Sequence, residues 1–308
     1  MGSILDMAHE VALKGLAKAL PKNACHVSNS TISLTFLATA QSCSARQQPQ
    51  PPSIVPPSSL SSPMSPETSY AKFGDLSPSR RLGQFTWVAL MCLLAWDFSG
   101  LDNTVMHWIA EDSSFNLRNN WWLKEILHTR AKQLAIVVYV GLLAMVWWPL
   151  GPLRQLTRLQ RTEIMVGITL SLITISTLKR FSLTSCPWEL QGFGGAATYV
   201  SHWNWGMGDG GAGHCFPGGH VSSALGFTAL ALPWLGSGLT AQRQIGRRIL
   251  LGVLAMGLVL GLTQTLRGAH YPSHTLWTGF ICWAVAFANH LGFGWLAHLR
   301  QKRIRSTL

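Results

Sequence analysis

Three short polar blocks in this chain carry the residue types from which phosphate chemistry is assembled. The first runs from Lys179 and Arg180 to Cys186 and Pro187, the second is Pro217-Gly-Gly-His220, and the third spans Arg267 to His274 and contains His270. Lys179 and Arg180 supply fixed positive charge of the kind that a multi-oxygen anion requires. Taken alone, such a pair at the end of an apolar stretch reads more readily as basic side chains reaching for lipid headgroups. Gly218 and Gly219 allow close approach of the backbone to a ligand just ahead of a helix start, where free N–H groups favour an anion. His220 then falls in the first turn, placed to hand a proton to a leaving oxygen. His270 and His274 lie four residues apart and share one face of a helix, so one imidazole can attack phosphorus while the other orients it. The same spacing occurs in zinc sites, but the glutamate of the metalloprotease helix is missing, and no metal is assigned.

Composition says what must hold these blocks. Of 308 residues, 48% are hydrophobic and only 12% charged, and the mean hydropathy is +0.22, which points to a membrane protein rather than a soluble domain. The net charge of +12 is dispersed in short clusters between apolar stretches, not in a stripe with interleaved aromatics, so nucleic acid is not an expected partner. The 14 tryptophans suit membrane interfaces, and Trp147, Trp148 and Trp277 lie near expected span ends.

Six apolar stretches, centred near residues 90, 141, 171, 229, 257 and 284, each approach the length of about 20 residues that a crossing helix needs. The expected fold is therefore all-α, an integral membrane bundle of six transmembrane helices over residues 81–308. Arginine and lysine clusters at 80–81, 154–161, 243–248 and 300–305 fall on one side of that arrangement, which the positive-inside rule makes cytoplasmic together with both termini. Lys179 and both histidine blocks then share the external face. Residues 1–80 are expected to be a disordered extension rich in Ser, Pro and Gln, with Met64 an alternative start. Gly2 lacks the Ser or Thr that a myristoylation motif wants at position 6, which is Asp6.

Read together, the three blocks resemble the type 2 phosphatidic acid phosphatase superfamily in its membrane-embedded lipid-phosphatase branch, over roughly residues 82–295. The resemblance implies Lys179 as phosphate ligand, Gly219 as backbone phosphate contact, His220 as general acid and His270 as nucleophile, without metal or other cofactor. Arg180, Gly218 and Arg267 complete the implied substrate contacts. The pattern departs from the family at four places: Cys186 stands for an arginine, Gly218 for a serine, Gln264 for an arginine and His274 for an aspartate. With His274 there, either another acid such as Asp209 or Glu189 supports the nucleophile, or His274 is itself the nucleophile.

Cys186 and Cys215 both fall on the external side, where disulfides persist. A bridge between them would close a loop of roughly 30 residues and contribute about 3 kcal/mol. His128, Arg130 and Lys132 stand before the second span; a basic membrane anchor is the expected role, a second phosphate or headgroup contact the alternative. Asp97 and Asp102 are assigned no chemistry.

The expected activity is hydrolysis of a lipid phosphate or diphosphate at the external face of a bacterial inner membrane, through a phosphohistidine. Phospholipid, polyprenyl and glycolipid phosphates are all candidate substrates, and no protein partner is inferable. A phosphotransferase using the same residues, a catalytically impaired lipid-binding relative and a haem-binding electron carrier are the competing readings.

Overall fold

The computed structural model describes residues 77–306, and these are helical with no β-strand among them. The expectations about an N-terminal extension, Met64 and Gly2 lie outside the described residues. Helix α1 (Ser77–Phe98) breaks at Gly100, whose φ of 73° turns the chain into α2 (Leu101–Ile109), at 62° to α1. A π-helix over Trp122–Arg130 runs on without a break into α3 (Ala131–Ala144). Helix α4 (Arg158–Phe181) begins on a reciprocal cap: Thr157 Oγ1 accepts from the Gln160 N–H, and the Gln160 side chain accepts from the Thr157 N–H. It ends with Lys179 and Arg180 in its last turn, where positive charge complements the helix dipole.

The fourth apolar stretch differs from the expected span. It forms α5 (Ser222–Leu225), a 3₁₀ turn (Gly226–Ala231) and α6 (Leu232–Leu235), which together are shorter than a bilayer crossing. Glycines on both sides bound it, and Leu225, Ala229, Leu232 and Trp234 are buried against α4, α7 (Thr240–Leu266) and α8 (Pro272–Ser306). A segment wrapped by protein has no need to match the bilayer thickness. Four described helices are long and apolar enough to cross a membrane, and five if the bent α1–α2 pair is one span, against the six expected from the sequence. The first of the four runs from Trp122 to Ala144, nearer the N-terminus than the hydropathy centre at 141 suggests.

Antiparallel packing of α4 on α8 sets the geometry. From one end to the other, Glu163 Oε1 meets His290 Nδ1 at 2.6 Å, the Asn289 amide donates to the Glu163 carbonyl, and Ser171 Oγ donates to the Cys282 carbonyl. This register brings the end of α4 that carries Lys179 to the end of α8 that carries His274. The main core of Ile164, Ile168, Leu232, Trp234 and Trp283 fills the interior, while Leu134, Val137, Leu251 and Leu258 are exposed on the outer faces. Apolar side chains both inside and outside a helical bundle are what a lipid environment requires.

Candidate active site

Each of the three polar blocks is delivered to the same end of the bundle by a chain break that the sequence specifies. Arg267 caps α7, and Gly268 follows with φ of +72°, the left-handed conformation that ends helices. The Ala269 N–H bonds back to the Gln264 carbonyl, and Pro272 then opens α8, so His270 sits in the tight link between two spans. Asp102 Oδ1 accepts from the Ser273 N–H at 3.0 Å and so caps the start of α8 from α2. A Cβ at Gly268 would lie 2.2 Å from the Phe115 ring, on top of the backbone strain. Gly268→Ala is therefore expected to destabilise the protein by about 3 kcal/mol or more, read as a fall in the melting temperature of the purified protein.

The second block is tied to α8 directly. The Gly218 N–H donates to the His274 carbonyl at 3.3 Å, and Thr278 Oγ1 donates to the Gly218 carbonyl at 3.2 Å. Gly219 faces the lysine of the first block, since a Cβ there would come 2.9 Å from Lys179 Cδ and 3.3 Å from its Cε. His220 Nε2 lies 2.9 Å from the Leu127 carbonyl, an acceptor only, which places the proton on Nε2 and leaves Nδ1 open. The His220 ring stacks on His128 from the π-helix, with centroids 4.3 Å apart. Sequence reasoning left His128 as a membrane anchor; its neighbour Arg130 is indeed turned outward onto Glu125 at 3.1 Å.

His270 and His274 are both buried, with Nδ1 atoms 3.4 Å apart. His270 Nδ1 also lies 3.3 Å from Cys215 Sγ, so its Nε2 is the nitrogen left to face a reactant. Lys179 acts on both histidines, whereas His220 and His128 act on His270 and His202 backs His274. His270 is thus the one of the pair on which the second block's histidine and the π-helix act. Neither alternative acid reaches it. Asp209 accepts from the Ser185 N–H, Ser185 Oγ and the Gly211 N–H, and these bonds outweigh the cost of burial and hold its carboxyl below the ordinary value. Glu189 Oε2 caps the Cys186 N–H at 2.8 Å.

Asp97, given no role from sequence, holds a buried carboxylate at this end. It accepts from Trp203 Nε1 at 2.7 Å and Trp277 Nε1 at 3.2 Å and pairs with His202 Nε2 at 3.2 Å. His202 stacks on Phe216, next to the second block, so Asp97 fixes the aromatic wall behind His274. Arg267 is buried, donating from Nε to the Arg118 carbonyl and from Nη1 to Gln264 Oε1. Arg180 is exposed.

Cys186 and Cys215 are joined, with Cα atoms 5.1 Å apart, which ties the first block to the second. Their sulfurs and a ring nitrogen of His270 lie within 4.8 Å of one another, but a disulfide offers no thiolate to a metal ion.

Burial, followed by the positive charge of Lys179 and His220, pushes His270 down to about 3. Burial, followed by His128, pushes His220 down to about 4. Both rings are thus neutral in the folded protein at pH 7, while the ordinary histidine value is 6.5. Their contribution to stability is complete above about pH 6.5 and is lost as the pH falls towards 4, because the unfolded chain takes up protons that the folded one refuses. The melting temperature is expected to fall between about pH 7 and about pH 5, and inorganic phosphate should restore part of it by giving each imidazolium a partner. A flat profile that phosphate does not change would contradict this.

No curated protein and no solved structure matched the chain. Residues 162–302, which contain all three polar blocks, match the family model of the PAP2 superfamily, and this match supports membership of the type 2 phosphatidic acid phosphatase superfamily.

Proposed function

We propose that the chain is a multi-pass membrane phosphatase that hydrolyses a lipid phosphate or diphosphate at the external face of the membrane, with His270 as the phosphoryl acceptor. The superfamily generally comprises phosphatases acting on phosphate esters. The observation that carries the finer reading is the meeting of Lys179, Gly219, His220 and His270 at one end of an apolar helical bundle, with no carboxylate among the charged groups that act on either histidine. Such a site is electrostatically incomplete until a dianion enters.

Lys179 and the glycine N–H groups bind the equatorial oxygens, and the entering dianion raises the affinity of both neighbouring imidazoles for protons. His270 Nε2 attacks phosphorus in line. His220, now protonated on the nitrogen that faces away from Leu127, gives that proton to the departing oxygen. Neutral His220 then takes a proton from water as it attacks the phosphohistidine, and phosphate leaves. His274 and the Cys215 segment hold the His270 ring in place of the family's aspartate.

The arginine and lysine clusters support an orientation with the site outside, and counting the short α5–α6 segment and the bent α1–α2 pair as spans gives the six of the expected topology. An inner bacterial membrane fits that arrangement. The test is phosphate release by the full chain in detergent, with EDTA, over phosphatidate, phosphatidylglycerol phosphate and polyprenyl phosphates. Release from any of them, abolished in His220→Ala and His270→Ala, is the expected result. A phosphorylated lipid acceptor without free phosphate would make the protein a transferase instead, and full release in either variant would sink the mechanism.

A further inference from the structure

Outside the polar blocks, the same end of the bundle carries an apolar surface that no described residue covers. It begins on α1, where Trp87, Met91 and Phe98 fall at i, i+4 and i+11 and are all exposed, so they form one stripe along the helix. The 22 residues of α1 reach about 33 Å, enough to cross the hydrocarbon core without α2. At its end Phe98 stacks on Trp203, with ring centroids 5.7 Å apart, and Trp203 Nε1 and His202 Nε2 both hold Asp97 in the last turn. These contacts fasten segment 199–207 to the end of α1. The segment turns Tyr199, Trp205 and Met207 outward, with Trp205 82% exposed.

Helix α2 continues the surface beyond the 62° break, and its nine residues divide into three faces. Met106 and Ile109 pack inward with Phe115, Phe193 and Tyr271. Leu101, Val105 and Trp108 lie at i, i+4 and i+7 on a second face, with Trp108 79% exposed, while Asn103 and His107 make a third that is polar and exposed. A short helix that shows an apolar and a polar face side by side suits the boundary between hydrocarbon and water. Charge agrees with that place. Segment 199–207 contains no Asp, Glu, Lys or Arg, and α2 has no Lys or Arg. The carboxylate of Asp102 turns inward, accepting from Trp96 Nε1 at 2.8 Å and from the Ser273 N–H. The outward side offers an aqueous protein partner no charge to recognise, whereas tryptophan rings at a span end are what a lipid surface takes.

We propose that α2 and segment 199–207 form an interfacial shelf that docks on the lipid surface of the membrane the bundle crosses. The occupant is the headgroup and upper acyl region of that leaflet, because the shelf is continuous with the exposed apolar stripe of α1. On the inner side of the shelf, His202 stacks on Phe216 at 4.2 Å, and Phe216 meets the His274 ring at 5.2 Å. The shelf therefore holds the polar blocks at headgroup depth. It goes beyond the phosphatase reading and requires only that the bundle crosses a membrane.

The experiment places the full chain in nanodiscs of phosphatidylethanolamine and phosphatidylglycerol, with the photoreactive residue p-benzoylphenylalanine replacing Trp87, Asn103, Trp108 or Trp205 one at a time. All four side chains are exposed, so the exchange leaves the core packing intact. After irradiation, mass spectrometry reads what has been joined to each position. Phospholipid adducts at the Trp108 and Trp205 positions, in about the yield of the Trp87 position and about tenfold above that of the Asn103 position, are the expected result. Equal yields at the Asn103 and Trp108 positions would mean that α2 is immersed on all its open sides. Cross-links between two copies of the chain at Trp108 or Trp205 would make the surface a protein interface, and adducts at neither would place it in water; each of these results overturns the shelf. Absence of lipid adducts at the Trp87 position as well would overturn the membrane-crossing arrangement together with it.

Discussion

Replacement of His270 by Asn should abolish phosphate release, a loss of roughly four orders of magnitude or more, while His274→Asn loses only about ten- to a hundredfold. The two histidines are four residues apart and both buried, so sequence spacing does not separate them. Their surroundings do. His270 has Lys179, His220 and His128 acting on it and turns Nδ1 towards Cys215 Sγ, which leaves Nε2 for attack. His274 is enclosed by His270, Tyr271, His202 and Phe216; it shares Lys179 with His270, but neither His220 nor His128 acts on it. In the proposed mechanism its part is to hold the His270 ring, and a positioning group costs less to remove than a nucleophile. The decisive measurement is an alkaline quench of enzyme incubated with labelled substrate, since phosphohistidine survives base. Label retained in His274→Asn and absent in His270→Asn is the expected pattern, and the reverse would exchange their roles.

The three blocks were legible in the sequence because each is a run of a few residues whose chemistry does not depend on partners far along the chain. Their delivery to one end of the bundle was legible too, since Lys179 closes one span and His274 opens another. What could not be read was everything that depends on distance in space. His128 looked like one of three basic residues at a span end, and nothing in its neighbourhood marks the π-helix that turns it onto His220 while Arg130 goes outward to Glu125. Asp97 looked like a solvated interfacial acid, yet its partners Trp203, His202 and Trp277 lie more than a hundred residues away. The stretch near residue 229 met the hydropathy criterion for a span because burial in protein and burial in lipid select the same side chains; only packing reveals that it is short and enclosed.

These departures from the family pattern are connected. Where the family has an arginine before the proline of the first block there is Cys186, and where it has an arginine six residues before the nucleophile there is Gln264. The first change makes a covalent tie possible. The second leaves Gln264 Oε1 to receive Arg267 from the next turn, so the guanidinium is kept but approaches from a different position. Substituting aspartate by His274 removes a charge, and the site replaces carboxylate support with packing: the Cys215 segment on one side of His270 and the His202–Phe216 stack behind His274. A histidine held by contacts rather than by an ion pair depends strongly on the rigidity of whatever touches it.

That dependence makes the disulfide the second large effect. Reduction of the protein, or Cys186→Ser, is expected to lower kcat/KM about a hundredfold and to lower stability by about 3 kcal/mol. The stability loss follows from the sequence separation of 29 between the two cysteines, whose release returns loop entropy to the unfolded chain. The catalytic loss has a different origin. Cys215 lies immediately before Phe216 and the Pro217-Gly-Gly-His220 turn, and its sulfur is in contact with the His270 ring. Cutting its tie to Cys186 frees both the backbone that presents Gly219 and the surface against which the His270 ring rests, and displacements near 1 Å cost about two orders of magnitude in rate. Dithiothreitol separates the geometric argument from a general loss of folding: it should reduce the activity of the native protein at a temperature well below melting, and should leave the Cys186→Ser/Cys215→Ser double variant unchanged. A native enzyme that keeps full activity after its thiols are shown by labelling to be free would mean that the bridge serves stability alone and that His270 is held by His274.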